Sequence, residues 1–259
     1  MKWCRVETST GPSYGLVEGD EIALVQGSPF EAWNVTDERI PLENAKLLVP
    51  VVPPVFYAIG SNYHDHVVKM AEAFGRKPVF YEAPRVGYRA NNALLPHEGA
   101  IVKPRDSGDE FQYEAELVAV IGKRGRNLTR EQAADCIFGY TIGNDVSERG
   151  WQAKDQTNIR AKNCDTFKPM GPWIVQGADP AHMRTRVRIN GETVHDFATG
   201  NMLFDAAAVV AEISRYNALS PGDVVWLGTD DKPRNIKPGD MLEIEITGIG
   251  VLRNSVIAE

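Results

Sequence analysis

The residues whose types and spacing could do chemistry fall in three short strings. In Phe111-Gln112-Tyr113-Glu114-Ala115-Glu116-Leu117-Val118-Ala119-Val120-Ile121-Gly122, two glutamates stand two apart at the start of an apolar run that glycine ends. The run reads as a buried strand, and side chains alternate along a strand, so Glu114 and Glu116 are expected on one face. Glutamate is depleted in strands, and two like charges within several Å repel by roughly 1–4 kcal/mol. Either this is an edge strand with two acids on its solvent face, or the acids are gathered for a purpose. Further on, Phe138-Gly139-Tyr140-Thr141-Ile142-Gly143-Asn144-Asp145-Val146-Ser147 reads as a second apolar strand with Asp145 at its exit. A third carboxylate from a neighbouring strand completes an all-oxygen set of the kind Mg²⁺ favours, with waters or substrate oxygens filling the remaining positions. A divalent cation there also relieves the Glu114–Glu116 repulsion, and the three acids together favour the metal reading. The third string, Asn62-Tyr63-His64-Asp65-His66, opens a helix. Its histidines are two apart and do not share a helix face, so they do not form a joint metal site. Either Asn62 or Asp65 caps the helix with both imidazoles on the surface, or one imidazole is a general base.

Those side chains need elements to hold them. Val55-Phe56-Tyr57-Ala58-Ile59 reads as a short buried strand ending at Gly60-Ser61. After it Val67, Met70, Ala71 and Phe74 recur at helical spacing, with Gly75 as a natural residue beyond the C-terminus. Thr129-x-x-Gln132 matches a capping box and opens a helix through about Cys136. A further helix from near Asp205 buries Val209, Val210 and Ile213 and stops by Asn217. Val187-Arg188-Ile189 leads into an Asn190-Gly191 turn, and two Pro-Gly-Asp turns launch strands at about 224–227 and 241–247. Near the start, 14–17 and 21–25 flank Glu18-Gly19-Asp20 as a hairpin. The proline-rich Pro50-Val51-Val52-Pro53-Pro54 then reads as an extended joint. The expected organisation is a small N-terminal β domain over 1–52 and a larger, mostly β domain over 53–259. The fold class is mixed α+β.

Composition narrows the classes of function. The 259 residues suit one large domain or a small one joined to a larger one. Thirty-five acids against 28 bases give a net charge of −7, against the clustered cationic excess that nucleic acid requires. No apolar stretch of membrane-spanning length occurs, and the opening Met1-Lys2-Trp3-Cys4-Arg5 lacks the apolar core of a secretory signal. Cys4, Cys136 and Cys164 are far apart, which reads as reduced thiols of a cytoplasmic protein and argues against zinc. The dinucleotide, P-loop, serine-hydrolase and zincin motifs are missing from the sequence.

Taken in order, the strings resemble the fumarylacetoacetate hydrolase family. Ile59-Gly60-Ser61-Asn62-Tyr63-His64-Asp65-His66 resembles its "G-x-N-Y-x-x-H" segment, and Tyr113-Glu114-Ala115-Glu116-Leu117 its "[YH]-E-x-E-L". Gly139-Tyr140-Thr141-Ile142-Gly143-Asn144-Asp145-Val146-Ser147 is similar to "G-Y-T-x-x-N-D-V-S". Lys162, before Asn163-Cys164-Asp165-Thr166-Phe167, matches the lysine of "x-K-S-F-D-T-F", and Gly222-Asp223-Val224-Val225-Trp226-Leu227-Gly228-Thr229 resembles "G-D-V-I-x-T-G-T". Ile236-Lys237-Pro238-Gly239-Asp240 and 248–254 follow the pattern, so the likeness runs over roughly 55–257. The first fifty residues resemble the small β domain that many members carry.

The resemblance implies a β-roll catalytic domain, usually dimeric, with Mg²⁺ or Mn²⁺ held by Glu114, Glu116 and Asp145. Members act on 2-oxo acids and β-dicarbonyl compounds. The metal chelates the 2-oxo acid and stabilises the enolate that develops. By position, His66 is the expected base, Lys162 and Gln152 contact substrate oxygens, Thr229 meets a carboxylate end, and Tyr63 joins the substrate-binding set. Two departures stand out. The glutamate that family hydrolases place three residues after the last histidine is Lys69 here, and the nearest acid is Glu72, a candidate substitute. After Thr229 the family's "G-T-P-x-G" becomes Gly228-Thr229-Asp230-Asp231-Lys232. The expected function is hydrolysis of a C–C bond in a small acylpyruvate-type or β-diketo acid. The alternative is decarboxylation or keto–enol isomerisation of a 2-oxo dicarboxylate at the same site, and Lys69 is its motive.

Overall fold

The computed structural model describes residues 1–73, 75–230 and 233–259. The expectations placed on Phe74, Asp231 and Lys232 lie outside them. The architecture is mixed and mostly β, as expected, and it is built from open sheets.

The hydrophobic pattern of Ala115–Ile121 explains its central place. Leu117, Ala119 and Ile121 pack into one apolar core, and Val118 and Val120 into another. A strand apolar on both sides belongs inside a sheet. It lies there between the antiparallel neighbours Ile137–Asn144 and Val224–Trp226. Phe56–Gly60 adds parallel to Val224–Trp226, and Arg85–Tyr88 closes that side. On the other side Lys168–Val175 pairs with Ile137–Asn144 and, in turn, with the N-terminal strand Lys2–Thr8. Gly11–Glu18, Glu21–Gly27 and Trp33–Pro41 follow as an antiparallel meander. The hairpin expected near the N-terminus is present, with Glu18 opposite Glu21. The four N-terminal strands therefore continue the main sheet, and Trp3 and Val25 share a core with Phe56 and Trp226.

A second, five-stranded sheet is ordered Glu192–Ala198, Arg184–Ile189, Met241–Ile246, Gly250–Ala258 and Ala100–Lys103. Its inner residues Val187, Ile244 and Leu252 join Leu117 and Ile142 in the larger core. The Asn190-Gly191 turn has positive φ at both residues, 53° and 82°, as a two-residue hairpin of this hand requires. Helix Arg130–Cys136 opens with the full Thr129–Gln132 capping box, and helix Ala206–Tyr216 with Asp205 as its cap. The second of these buries Val209, Val210 and Ile213 in the larger core. No helix among the described residues is long and apolar enough to cross a membrane.

Candidate active site

The three acids converge, though not by strand alternation alone. Phe111–Gln112 pairs with Ser147–Glu148, the ladder breaks at Tyr113 and Glu114, and it resumes at Ala115. Glu114 therefore stands in the break. Its backbone N–H donates to Asn144 Oδ1 at 3.0 Å, and its carbonyl accepts from Asp145 N–H at 2.9 Å. These two bonds fix the Glu114 and Asp145 backbones side by side. Glu116 sits opposite Gly143 in the ladder, and its Oε2 accepts from Gly228 N–H at 2.8 Å. Gly228 has φ +87°, and a Cβ there would stand 3.2 Å from that of Asn62, so glycine lets this backbone reach the carboxylate. Ligand atoms of Glu114, Glu116 and Asp145 lie within 4.8 Å of one another. These residues are 4%, 3% and 1% exposed, which removes the edge-strand account. A buried, close-set group of three carboxylates fits a hard divalent cation.

Among the described residues four cations contact the acids, three of which sequence reasoning missed. Arg89, just past the strand Arg85–Tyr88, donates from Nη2 to Asp145 Oδ2 at 2.7 Å and from Nε to Oδ1 at 3.1 Å. Lys168 opens the strand Lys168–Val175, is fully buried, and reaches Asp145 Oδ1 at 2.7 Å. It also donates to the carbonyls of Val146 and Phe167 at 3.1 and 2.9 Å. Arg149 begins the helix Arg149–Gln152, which Glu148 caps through Trp151 N–H, and its guanidinium hydrogen-bonds Glu114, Gln112 and Gln152. Lys162 ends the helix Ile159–Lys162 and donates to both Glu114 Oε2 and Asp145 Oδ2. A lone Arg or Lys with its partner more than twenty residues away in the chain carries no local sequence signal.

The cations divide the acids. Burial works to raise the Glu114 carboxyl, and the Arg149 and Lys162 charges outweigh it, holding it at about 2. Burial likewise opposes ionisation of Asp145, but Arg89, Lys162 and Lys168 keep it well below the usual carboxylate range. Glu116 goes the other way, pushed well above that range by burial and then by the neighbouring Asp145 and Glu114. Crowded acids share their charge unequally. Burial lowers Lys168 to about 7, against the pull of Asp145.

A cavity of about 760 Å³ opens over the cluster. His66, Gln152, Lys162 and Thr229 line it together with the three acids. His66 Nε2 lies 3.9 Å from Glu114 Oε1, whereas His64 is exposed and stacks on Phe80. Among the described residues no group hydrogen-bonds the buried Thr229 Oγ1, which leaves it available to a ligand. Two expected residues are placed elsewhere. Tyr63 is buried outside the cavity lining, and its hydroxyl donates to Thr199 O at 2.6 Å, tying two chain segments together. Glu72 is exposed and outside the cavity lining, because six residues along a helix from His66 is well round to another face. Lys69 is exposed as well. Among the described residues, Glu114 places a carboxylate beside His66.

Comparison with known proteins identifies the family. Residues 55–257 match the fumarylacetoacetate hydrolase C-terminal family, and residues 1–50 the Rv2993c-like N-terminal family. The oxaloacetate tautomerase fahd2 of Xenopus laevis is 34% identical over 83% of this chain and 69% of its own length. The structure of 5-carboxymethyl-2-hydroxymuconate delta-isomerase from Mycobacterium smegmatis superposes with a TM-score of 0.90, at 34% identity and full coverage of both chains. The maleylpyruvate hydrolase of Sphingobium sp. SYK-6, solved with manganese(II) and pyruvate, gives a TM-score of 0.80 at 26% identity, covering 100% of this chain and 99% of its own. The family's members include isomerases, tautomerases, decarboxylases and hydrolases. With its three acids and their cavity set on this shared fold, the chain belongs to the fumarylacetoacetate hydrolase family of enzymes.

Proposed function

We propose that this protein is a divalent-metal-dependent isomerase that interconverts keto and enol forms of a small 2-oxo acid. The observation that carries the reading is the surroundings of His66. Its imidazole lines the cavity together with the three acids, with Nε2 3.9 Å from Glu114 Oε1, where it can reach a ligand held over them. Isomerisation asks only that a proton be taken from one position and returned at another. The tautomerase and isomerase relatives support the same preference.

In this reading a 2-oxo acid lies in the cavity with its carboxylate toward Lys162 and Arg149, whose donors face the acid cluster. The Gln152 amide and Thr229 Oγ1 hydrogen-bond the remaining oxygens. His66 Nε2 takes the proton from the carbon beside the ketone and delivers it to the new position. A Mg²⁺ or Mn²⁺ ion held by Glu114, Glu116 and Asp145 would supply Lewis-acid stabilisation of the negative charge that develops on substrate oxygen, of several kcal/mol. Burial of these groups keeps water from screening them.

The test is a panel of oxaloacetate, acylpyruvates and unsaturated 2-oxo dicarboxylates incubated with Mn²⁺-loaded protein and followed by proton NMR. Interconversion of isomers with the carbon skeleton intact, lost on adding EDTA or on His66→Ala, is the expected result. Splitting of an acylpyruvate into pyruvate and a second acid would replace isomerisation by hydrolysis, and carbon dioxide release by decarboxylation. Turnover of nothing in the panel would refute the reading.

A further inference from the structure

The hydrogen bonds around the acids raise a question of valence. A carboxylate offers about four acceptor positions. On Asp145, Oδ1 accepts from Arg89 Nε at 3.1 Å and Lys168 Nζ at 2.7 Å. Oδ2 accepts from Arg89 Nη2 at 2.7 Å and Lys162 Nζ at 2.8 Å. All four positions are taken. Glu114 accepts from Arg149, from Lys162, and from Ser147 Oγ at 3.2 Å. Lys162 is the donor common to both acids. Glu116 is more lightly loaded, accepting from Gly228 N–H.

Charge points the same way. With every group taken at its formal charge, Arg89, Arg149, Lys162 and Lys168 set four positive charges against three negative ones on the acids, a surplus of +1, and each cationic side chain is at most 10% exposed. A divalent cation would raise that surplus to +3 in a buried site, where unbalanced charge is costly. It would also take acceptor positions that Lys162 now fills, leaving a buried ammonium short of partners.

We propose that a divalent cation entering this site displaces Lys162 from Asp145 and Glu114, and that an anionic ligand takes up the freed ammonium, so that metal and 2-oxo acid bind cooperatively. This rests on the preceding reading that the cluster takes a divalent cation and a 2-oxo acid. The ligand's carboxylate lowers the surplus charge and accepts the Lys162 hydrogen bonds in one event. Because coupling between two ligands is reciprocal, the metal tightens the acid by the same factor that the acid tightens the metal.

The test is Mn²⁺ titration of the full chain, following the free-ion signal by electron paramagnetic resonance, with and without saturating pyruvate. A protein-free titration corrects for Mn²⁺ bound by pyruvate alone. Pyruvate is expected to lower the Mn²⁺ Kd about tenfold, within the usual range of such couplings. In Lys162→Met, with folding checked by circular dichroism, Mn²⁺ alone is expected to bind several-fold more tightly than in wild type, and the pyruvate effect to shrink. The same wild-type Kd with and without pyruvate would overturn the coupling and leave the metal site standing. Tight wild-type binding of Mn²⁺ alone that Lys162→Met does not improve would overturn the displacement. Absence of Mn²⁺ binding in both wild-type arms would remove the metal reading along with this one.

Discussion

Lys168→Met is the sharpest test of how the cluster is held. Lys168 is 0% exposed, and its ammonium holds Asp145 Oδ1 at 2.7 Å and two backbone carbonyls at 2.9 and 3.1 Å. Methionine keeps much of the side chain's length and apolar stem and deletes the charge. Breaking an isolated buried ion pair costs about 3–5 kcal/mol, because the survivor is left uncompensated. Here Asp145 keeps Arg89 and Lys162, so its share of that loss is smaller. The Phe167 carbonyl also keeps its bond from Val146 N–H at 3.1 Å. The Val146 carbonyl loses the ammonium, at about 1–3 kcal/mol for a buried group stripped of its partner. Against these stands a gain, since methionine has no charge to desolvate. The balance comes to a loss of about 2–4 kcal/mol. Urea unfolding followed by far-ultraviolet circular dichroism measures it, as a lower midpoint at unchanged slope. A loss below about 1 kcal/mol, or a gain, would mean that the desolvation of Lys168 cancels its bonds. The cation would then not be what stabilises Asp145.

Three further outcomes are expected. Glu116→Gln retains an acceptor for Gly228 N–H but removes a ligand charge, so calorimetry should show Mn²⁺ binding weakened at least about tenfold. Its thermal stability should be unchanged or raised, since burial and the adjacent acids already press this carboxyl toward its neutral form. Asp205→Ala removes the cap that accepts Ala208 N–H at 2.8 Å and should cost about 1 kcal/mol at neutral pH by urea unfolding. Burial opposes that carboxylate, but hydrogen bonds from Arg130 and from backbone N–H groups hold its pKa down. Its contribution is therefore present above the unfolded carboxylate value of about 3.9, and is lost as pH falls through the lower folded value, where variant and wild type should converge. Tyr63→Phe keeps the edge-on ring contact with Phe197 and loses the bond to Thr199 O, so stability should fall by about 1 kcal/mol with KM unchanged. A raised KM would return Tyr63 to the substrate.

Part of this protein was legible in its sequence because the information is local. A capping box spans four residues, and Thr129–Gln132 is where it was expected. The Asn190-Gly191 turn and the Asp205 cap are equally short-range, and each marks an element that the chain forms. The three acids and their order were legible as well, since glutamate in an otherwise apolar strand stands out. The placement of Glu114 followed a different route, through a break in the ladder and the bond from its N–H to Asn144.

What only the tertiary structure decided is which charges meet. Arg89 and Asp145 are 56 residues apart, Arg149 and Glu114 are 35 apart, and Lys162 and Glu114 are 48 apart. In the sequence each of these cations is one charged residue among many, because the energy that selects its partner exists only after burial has excluded water from both. The same holds for Glu72, an acid at a plausible distance along the chain that the turn of the helix carries away from His66. Residue types and their order placed the three carboxylates and the imidazole in the motifs of a fumarylacetoacetate hydrolase family enzyme. Folding decided that four buried cations would hold those carboxylates, since charge compensation is settled in space and not along the chain.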